Sequence, residues 1–407
     1  FIEAAVEESI EVILDLRESN PDAYLIVAGC LPLRYQESLA DPLPEVDLFL
    51  DPAEIDRLPD LIAESACLPE RRDKAGSRSK ASSAKSTDPD TGKTSTDIER
   101  IPTTSGYAYL RIADGCSRKC RYCTIPSIRG PLRSSDPPAL LREAAGLVAL
   151  GARELVLVAQ DLTAYGVDQG RKRGLTDLLA GLEEIDGLHW IRLMYLHPDG
   201  IPKDLSHIVN AGGKVLPYLD IPFQHVSSKV LEAMGRPWKG DRIRKLVNKL
   251  RKKIPGLVLR TTFMVGYPAE GRKEYEELRD FVTEFGIERV GVFSYSPEEG
   301  TPAFDLGDPV PEEEKLDRAD EISAIHSAFT DKRNRSLISI EQACLVEGVS
   351  DETDLLLQGR LWDQAPEVDG ILYITAGSAA AGSVRKVRIT ESNGPDLFGE
   401  LLDESPG

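Results

Sequence analysis

The sequence predicts an α/β protein built around an open, partial (βα)6 barrel, with an incomplete α/β domain before it and a small all-β barrel after it. Two observations support this fold class. Between residues 107 and 296, six apolar strand-like runs alternate with amphipathic helical stretches, which indicates parallel βα units that are too few for a closed eight-stranded barrel. After residue 336 the pattern changes to five short strands separated by turn residues, which is typical of a small barrel of the oligonucleotide-binding type.

One helix and two short strands are predicted before the core. FIEAAVEESIEVILDLRES has helical periodicity, AYLIVAGC is read as a strand that ends at Cys30, and EVDLFLD is a second short strand. Because the sequence starts inside a helix and without Met, we expect that its natural N-terminus is missing. These elements form a domain at 1–69. Residues 70–104 are rich in Ser, Thr, Lys and Asp, so we expect a flexible linker there.

The core is predicted at 105–335 and the small barrel at 336–403. The core strands are YAYLRIA, ELVLVAQ, WIRLMYL, YLDIPF, VLRTTFMVG and RVGVFSYS. A long charged helix, EEEKLDRADEISAIHSAFTDKRNRSLI, leads to the last five strands, QACLVEGVS, DLLLQGRLW, ILYITA, SVRKVRIT and DLFGELL. In parallel βα folds the carboxyl ends of the strands carry the chemistry, so we search there for functional residues.

Composition excludes several functional classes. The net charge of −19 argues against a general nucleic-acid coat, because phosphate binding needs a positive surface. No run of eighteen apolar residues is present, so we expect no membrane association. Six cysteines without a secretory signal indicate reduced thiols and a cytoplasmic protein, in which clustered cysteines are metal ligands or catalytic groups rather than disulfides.

The most informative motif is GCSRKCRYCTIPSIRG, which places Cys116, Cys120 and Cys123 directly after the first core strand. Cysteine thiolates are the usual ligands of iron–sulfur clusters, and three of them on a four-iron cluster leave one iron open for a small molecule. Zinc is the alternative. Structural zinc usually takes four ligands in paired spacing, and no fourth cysteine is nearby in the sequence.

The C-x3-C-x2-C spacing, with the aromatic Tyr122 before the last cysteine, resembles that of the radical S-adenosylmethionine (radical SAM) enzymes. The resemblance implies a 4Fe–4S cluster on Cys116, Cys120 and Cys123 whose open iron binds the amino and carboxylate groups of S-adenosylmethionine (SAM). Reductive cleavage of SAM then gives a radical that removes hydrogen from an unactivated carbon. The role of the protein is to bind and orient the cofactor and to exclude side reactions. We expect no catalytic side chain beyond the cluster ligands.

The same resemblance implies the cofactor-binding residues. Each follows the end of a core strand, except Tyr122, which lies in the cysteine motif. A structural role remains the alternative for several of them. Gln160 and Asp161 could cap the loop after the second strand, and Gly266 could serve only a turn. His225, next to Gln224, could have a purely structural role. The predicted cofactor contacts are Tyr122, Gln160 and Asp161 after the second strand, Gln224 after the fourth, and Val265 with Gly266 at the fifth.

The order of an N-terminal α/β domain, a radical core and a small barrel of the TRAM type resembles the methylthiotransferases. That resemblance implies a second, auxiliary 4Fe–4S cluster held by three cysteines of the N-terminal domain. Cys30, in LIVAGCLPLRY, matches one of them. The other two are expected in the missing segment, so the full-length protein is expected to carry two clusters.

Within that family, the motifs LVAQDLTAYG, IPFQHVSSKVLEAMGRP and FSYSPEEGTPA resemble the RimO-type branch, which modifies the β-carbon of an aspartate in small-subunit ribosomal protein uS12. Residues 336–407 hold four basic and thirteen acidic residues, a net charge of −9. An acidic barrel suits a basic ribosomal protein better than tRNA, although the charge also serves solubility. The expected partners are therefore uS12 or the small ribosomal subunit and an electron donor. The alternatives are the sister enzyme that modifies a tRNA adenosine, and a non-enzymatic iron–sulfur or zinc protein.

Overall fold

The structure is a computed structural model that describes residues 3–39, 41–66, 106–236 and 239–402. The predicted linker at 70–104 lies outside these residues. The chain divides into two compact units, which are described separately: Phe1–Glu99 with Ser127–Arg129, and Arg100–Pro126 with Gly130–Gly407. Within the described residues, no helix is both long and apolar enough to cross a membrane.

The first unit packs helices on a two-stranded parallel sheet, in which Ile26 pairs with Leu48. Its core includes Val6 and Ile13, which lie two turns apart and therefore on one face of the first helix. The elements are α1 (Glu3–Ser19), β1 (Ile26–Ala28), α2 (Cys30–Tyr35), β2 (Leu48–Leu50) and α3 (Leu58–Ala66), with 3-10 turns at Gln36–Leu39 and Pro52–Arg57.

One expectation for this unit is wrong: Cys30 does not end a strand but begins helix α2. Strand β1 stops at Ala28 because Gly29 adopts φ +128°, a backbone conformation that L side chains rarely take. Pro32 lies in the first turn of α2, where its missing N–H costs no helical hydrogen bond.

The second unit is centred on a six-stranded, all-parallel sheet. Its strands lie in the same order as in the sequence, which confirms the predicted open series of six βα units. The strands are β3 (Tyr107–Arg111), β6 (Glu154–Val158), β7 (Trp190–Leu193), β8 (Val215–Asp220), β9 (Val258–Val265) and β10 (Arg289–Ser294), and a small ribbon joins β4 (Ala113–Asp114) to β5 (Arg133–Ser134).

Helices lie between these strands, and the longer ones bury an apolar face. Helix α5 begins with two prolines and buries Leu140, Ala144, Leu147 and Val148, which recur at helical spacing on one side. The helices are α4 (Ile125–Ile128), α5 (Pro137–Ala149), α6 (Gly174–Glu183), α7 (Leu205–Asn210), α8 (Ser228–Ala233), α9 (Gly240–Lys253), α10 (Arg272–Phe285) and α11 (Glu312–Arg335).

The five strands predicted for the last part form a closed barrel in the order β11-β12-β13-β15-β14. Antiparallel pairs dominate it, and Cys344 is fully buried in its core, as the apolar strand QACLVEGVS predicts. The strands are β11 (Glu341–Val349), β12 (Leu357–Leu361), β13 (Leu372–Ala376), β14 (Val384–Asn393) and β15 (Asp396–Leu401).

The barrel packs against the amino ends of the sheet strands. Tyr107 and Trp190, the first residues of β3 and β7, share an apolar cluster with Leu345 of the barrel. Beneath them, the buried carboxylate of Glu154 pairs with the guanidinium of Arg360 at 2.8 Å. The amino edge of the sheet is thus covered, whereas the carboxyl edge carries the cavity described next.

Candidate functional site

The three cysteines lie in the loop after β4, and backbone hydrogen bonds within the loop and to Gly130 fix it. The backbone N–H of Cys116 donates to the carbonyl of Gly130 at 3.0 Å, and that of Cys123 to the carbonyl of Cys120 at 3.3 Å. Gly115 has φ +73°, and a Cβ there would lie 2.2 Å from the Pro131 carbonyl oxygen, so the turn requires glycine.

All three cysteines line one cavity of about 190 Å³ at the carboxyl edge of the sheet. In the part of the chain that the structure describes, no three Cys, His, Asp or Glu side chains form a group that could hold a metal ion. Burial raises the pKa of the Cys116 and Cys123 thiols. Because thiolates are the ligand form, loading a cluster here has to release protons.

Gln160 is the predicted contact that best fits a ligand. Its side-chain Nε2 donates to Asp114 Oδ1 at 3.4 Å, so the opposite atom of the amide is the oxygen. That Oε1 is buried and has no hydrogen-bond partner among the described residues, although Gln160 lines the cavity. A buried acceptor without a partner costs about 1–3 kcal/mol. An ammonium group in the cavity would satisfy it.

Asp161 also lines the cavity, but its oxygens are already engaged. Oδ1 accepts from the backbone N–H and the hydroxyl of Thr163 at 3.0 and 2.5 Å, which caps the turn Leu162–Ala164. Oδ2 accepts from Arg118 Nε at 2.7 Å. The structure therefore shows the capping role that was the alternative for this residue.

Tyr122 and Gln224 complete the predicted residues that the cavity brings together. The Tyr122 hydroxyl accepts from Arg236 Nε at 3.2 Å, and burial raises the pKa of the phenol. Gln224 has φ +70°, an uncommon conformation for a residue other than glycine, and two backbone hydrogen bonds of 2.8 Å to neighbouring β9 residues hold it there.

Val265 ends β9 and Gly266 follows it directly, but neither residue lines this cavity. Val265 is fully buried, and the N–H of Gly266 donates to Glu270 Oε1 at 3.1 Å. His225 is fully buried too and lies outside the lining. Its Nδ1 accepts from the Ser227 N–H at 2.9 Å, so its role in the fold is structural rather than pocket-lining.

Eight lining residues were not singled out from the sequence, and the four with polar side chains are Tyr195, His197, Arg118 and Arg236. Tyr195 and His197 follow the end of β7, so the strand-end rule applied to WIRLMYLHPD would have found them. Tyr195 has φ +59°, and its N–H donates to Asp220 Oδ2 at 3.0 Å. His197 accepts the Asp199 N–H on Nδ1 at 3.2 Å, and burial lowers the pKa of its imidazole to about 4.

Cys30 is the one predicted ligand in the first unit. It is half-buried at the start of α2. Arg129, which belongs to the same unit, approaches its Sγ with Nη2 at 3.2 Å. Arg133, the other arginine after the cysteine loop, is largely exposed and pairs with Asp114 at 3.4 Å.

Comparison with known proteins agrees with these features. The sequence model of the radical SAM superfamily matches residues 110–282, and the sequence model of the TRAM domain matches residues 340–402. The solved radical SAM methyltransferase TsrM of Kitasatospora setae superposes with a TM-score of 0.50 over 70% of this chain and 58% of that one. At 16% identity this match supports the fold alone.

Curated relatives match nearly the whole chain. The ribosomal protein uS12 methylthiotransferase RimO of Geotalea uraniireducens is 44% identical over 99% of this chain and 88% of its own length. The protein of the same name from Aquifex aeolicus is 40% identical, again over 99% and 88%. Membership of the radical SAM superfamily implies a 4Fe–4S cluster and SAM. On this identity and coverage, the chain belongs to the RimO methylthiotransferase family of radical SAM enzymes.

Proposed function

We propose that this protein adds a methylthio group to the β-carbon of an aspartate in ribosomal protein uS12. The observation that carries the proposal is the cavity at the carboxyl edge of the sheet. Three thiols and the unpartnered Oε1 of Gln160 border it, in a chain whose relatives bear that activity in their names. We also propose that the chain comprises an N-terminal domain at 1–69, a linker at 70–104, the radical SAM core at 105–335 and the TRAM barrel at 336–403.

The cavity lining supplies the donor types that the expected cofactors need, which are thiols for a cluster and an amide oxygen for an ammonium group. Cys116, Cys120 and Cys123 would hold one 4Fe–4S cluster, and Cys30 would supply a thiolate to a second one. Gln160 Oε1 is the acceptor for the amino group of SAM. Tyr122 borders the same cavity, and Gln224 supports its wall, while Val265 and Gly266 form the neighbouring strand end. When bound, the reduced cluster supplies the electron that cleaves SAM to a carbon radical.

The protein's own residues fix the walls of the cavity that would hold the reactants. Arg118 and Asp161 form an ion pair of 2.7 Å on the cavity wall, which fixes the turn after β6 and with it Gln160. Two neighbouring residues in αL geometry, Tyr195 and Gln224, are held by hydrogen bonds, as is common for strained residues at functional sites.

The substrate assignment rests on charge as well as on relatives. The acidic terminal barrel suits a basic protein such as uS12, alone or in the small subunit, and disfavours tRNA. The proposal also requires an electron donor and a cytoplasmic location. The sister activity on a tRNA adenosine remains the competing proposal.

The test uses the full gene product, prepared anaerobically with iron and sulfide. It is incubated with dithionite, SAM and either uS12 or tRNA, and both substrates are weighed by mass spectrometry. A gain of about 46 Da on one aspartate of uS12, a methylthio group replacing hydrogen, supports the proposal. The gain on tRNA alone would move the protein to the sister activity. No gain and no 5′-deoxyadenosine would favour a non-enzymatic iron–sulfur protein.

A further inference from the structure

Helix α9 carries a charge opposite to that of the protein as a whole. Its sequence, GDRIRKLVNKLRKK, holds seven basic residues and one acidic residue, a net charge of +6 in a chain of −19. Five exposed basic residues lie within an arc of about 100° on one face, because residues three and four apart are neighbours on a helix. This basic stripe consists of Arg242, Lys245, Lys249, Lys252 and Lys253.

The opposite face of α9 packs in the hydrophobic core. Ile243, Val247 and Leu250 are buried among the apolar residues beneath the sheet. The helix therefore has no apolar face left to insert into a lipid surface, which membrane-binding helices require. Arg251 is also used in folding, since it donates to the carbonyl of Phe285 at 2.6 Å and stands outside the stripe.

Four of the five stripe residues are not neutralised by the residues that the structure describes. Lys245, Lys249, Lys252 and Lys253 form no ion pair within 4.0 Å to any residue that the structure describes, while Arg242 lies 3.5 Å from Asp199. Like charges three and four residues apart destabilise a helix by about 0.2–0.5 kcal/mol per pair.

Neither the helix dipole nor solubility explains the whole stripe. The dipole favours cations in the last turn, which covers Lys252 and Lys253 but not Lys245. A surface that serves only solubility intersperses both signs. The next crossover helix, α10, does so with three basic and five acidic residues.

We propose that the basic stripe binds the phosphate backbone of ribosomal RNA when the enzyme acts on the small subunit. This inference rests on the proposed function. A basic ribosomal protein would be repelled by the stripe, whereas the RNA around it presents dense negative charge. The stripe extends over about 16 Å along the helix axis, enough for several phosphates. The second unit then offers an acidic barrel for the protein and a basic helix for the RNA.

The test compares two variants of the holoenzyme that each lose four positive charges. The stripe variant is K245Q/K249Q/K252Q/K253Q. The matched control, R272Q/K273Q/K332Q/R335Q, removes exposed basic residues from α10 and α11. Methylthiolation rates are measured on small subunits and on free uS12, and binding to naked small-subunit RNA is measured against salt concentration.

For the stripe variant we expect RNA affinity and the rate on small subunits to fall about tenfold near 0.1 M salt, with a shallower dependence of binding on salt. The rate on free uS12 should stay at the wild-type value, and the control should match wild type throughout. Equal losses in both variants, or a loss on free uS12 alone, would overturn the RNA assignment. If the wild type modifies neither substrate, the proposed function fails, and the RNA-binding measurement still decides the role of the stripe.

Discussion

Glu270 links three elements around the candidate site, and its replacement gives the sharpest structural prediction. Its fully buried carboxylate accepts from His225 Nε2 at 3.1 Å, from the Gly266 N–H at 3.1 Å and from Arg318 Nη1 at 2.5 Å. His225 Nδ1 accepts from the backbone of Ser227, so Nε2 carries the proton and is a donor. All three of these partners of the carboxylate are therefore donors.

In the Glu270→Gln variant, one acceptor oxygen becomes an NH2 group that faces His225 or Arg318. A hydrogen bond to a charged group is worth about 1.5–3 kcal/mol, and a buried unsatisfied donor costs about 1–3 kcal/mol. We therefore expect a local loss of about 3 kcal/mol at the end of β9. Hydrogen exchange of a peptide that spans residues 258–270 measures this free energy of local opening. The Michaelis constant for SAM should rise as well, because the strand end loses its anchor.

The matched control is Glu276→Gln, in which an exposed carboxylate loses its 3.1 Å partner Arg272. Exposed ion pairs contribute about 0–1 kcal/mol, so we expect little change. If Glu270→Gln leaves the exchange of residues 258–270 within about 0.5 kcal/mol of wild type, the reasoning about three converging donors is wrong.

Three further predictions test other parts of the fold. Gly266→Ala should destabilise by at least about 1–2 kcal/mol in chemical denaturation, because φ is +77° and the added Cβ would lie 2.2 Å from a buried lysine side chain. Glu154→Gln should cost about 3–5 kcal/mol, read by tryptophan fluorescence, because it leaves the buried guanidinium groups of Arg192 and Arg360 without their shared carboxylate. Burial lowers the pKa of His326 from 6.5 to about 4, so its neutral form stabilises the fold at high pH and that contribution is lost as pH falls from 6.5 towards 4. In His326→Gln, the free energy of unfolding should therefore fall less steeply with decreasing pH over that range. The slope should differ from that of the wild type by up to about 1.4 kcal/mol per pH unit, measured by thermal unfolding at a series of pH values.

The sequence predicted the architecture well because the core strands are short, largely apolar runs between amphipathic helices, which is the pattern of parallel βα units. The cysteine spacing pointed to the cavity for a similar reason, since residues close in sequence share one loop. Cys30 was placed wrongly because a strand pattern does not show where a glycine of positive φ ends it.

Residues that meet only in three dimensions were the ones missed. Glu270, His225 and Arg318 come from three separate segments, and nothing in the sequence shows that they converge. Asp161 and Gln160 are adjacent, yet the fold engages the first in a cap, while the Oε1 of the second has no hydrogen-bond partner among the described residues. Such differences depend on side-chain geometry, which no periodicity encodes.

The central claim is that the three-cysteine loop holds the cluster for methylthiolation of uS12, and one pair of variants tests it most directly. Cys116→Ala removes a lining thiol, whereas Cys344→Ala removes a thiol buried in the terminal barrel. Both are reconstituted anaerobically and incubated with SAM, reductant and uS12, and the protein is weighed. We predict that Cys344→Ala still adds about 46 Da to one aspartate and that Cys116→Ala adds nothing and forms no 5′-deoxyadenosine. A mass gain with Cys116→Ala equal to that of Cys344→Ala would contradict the assignment of the loop.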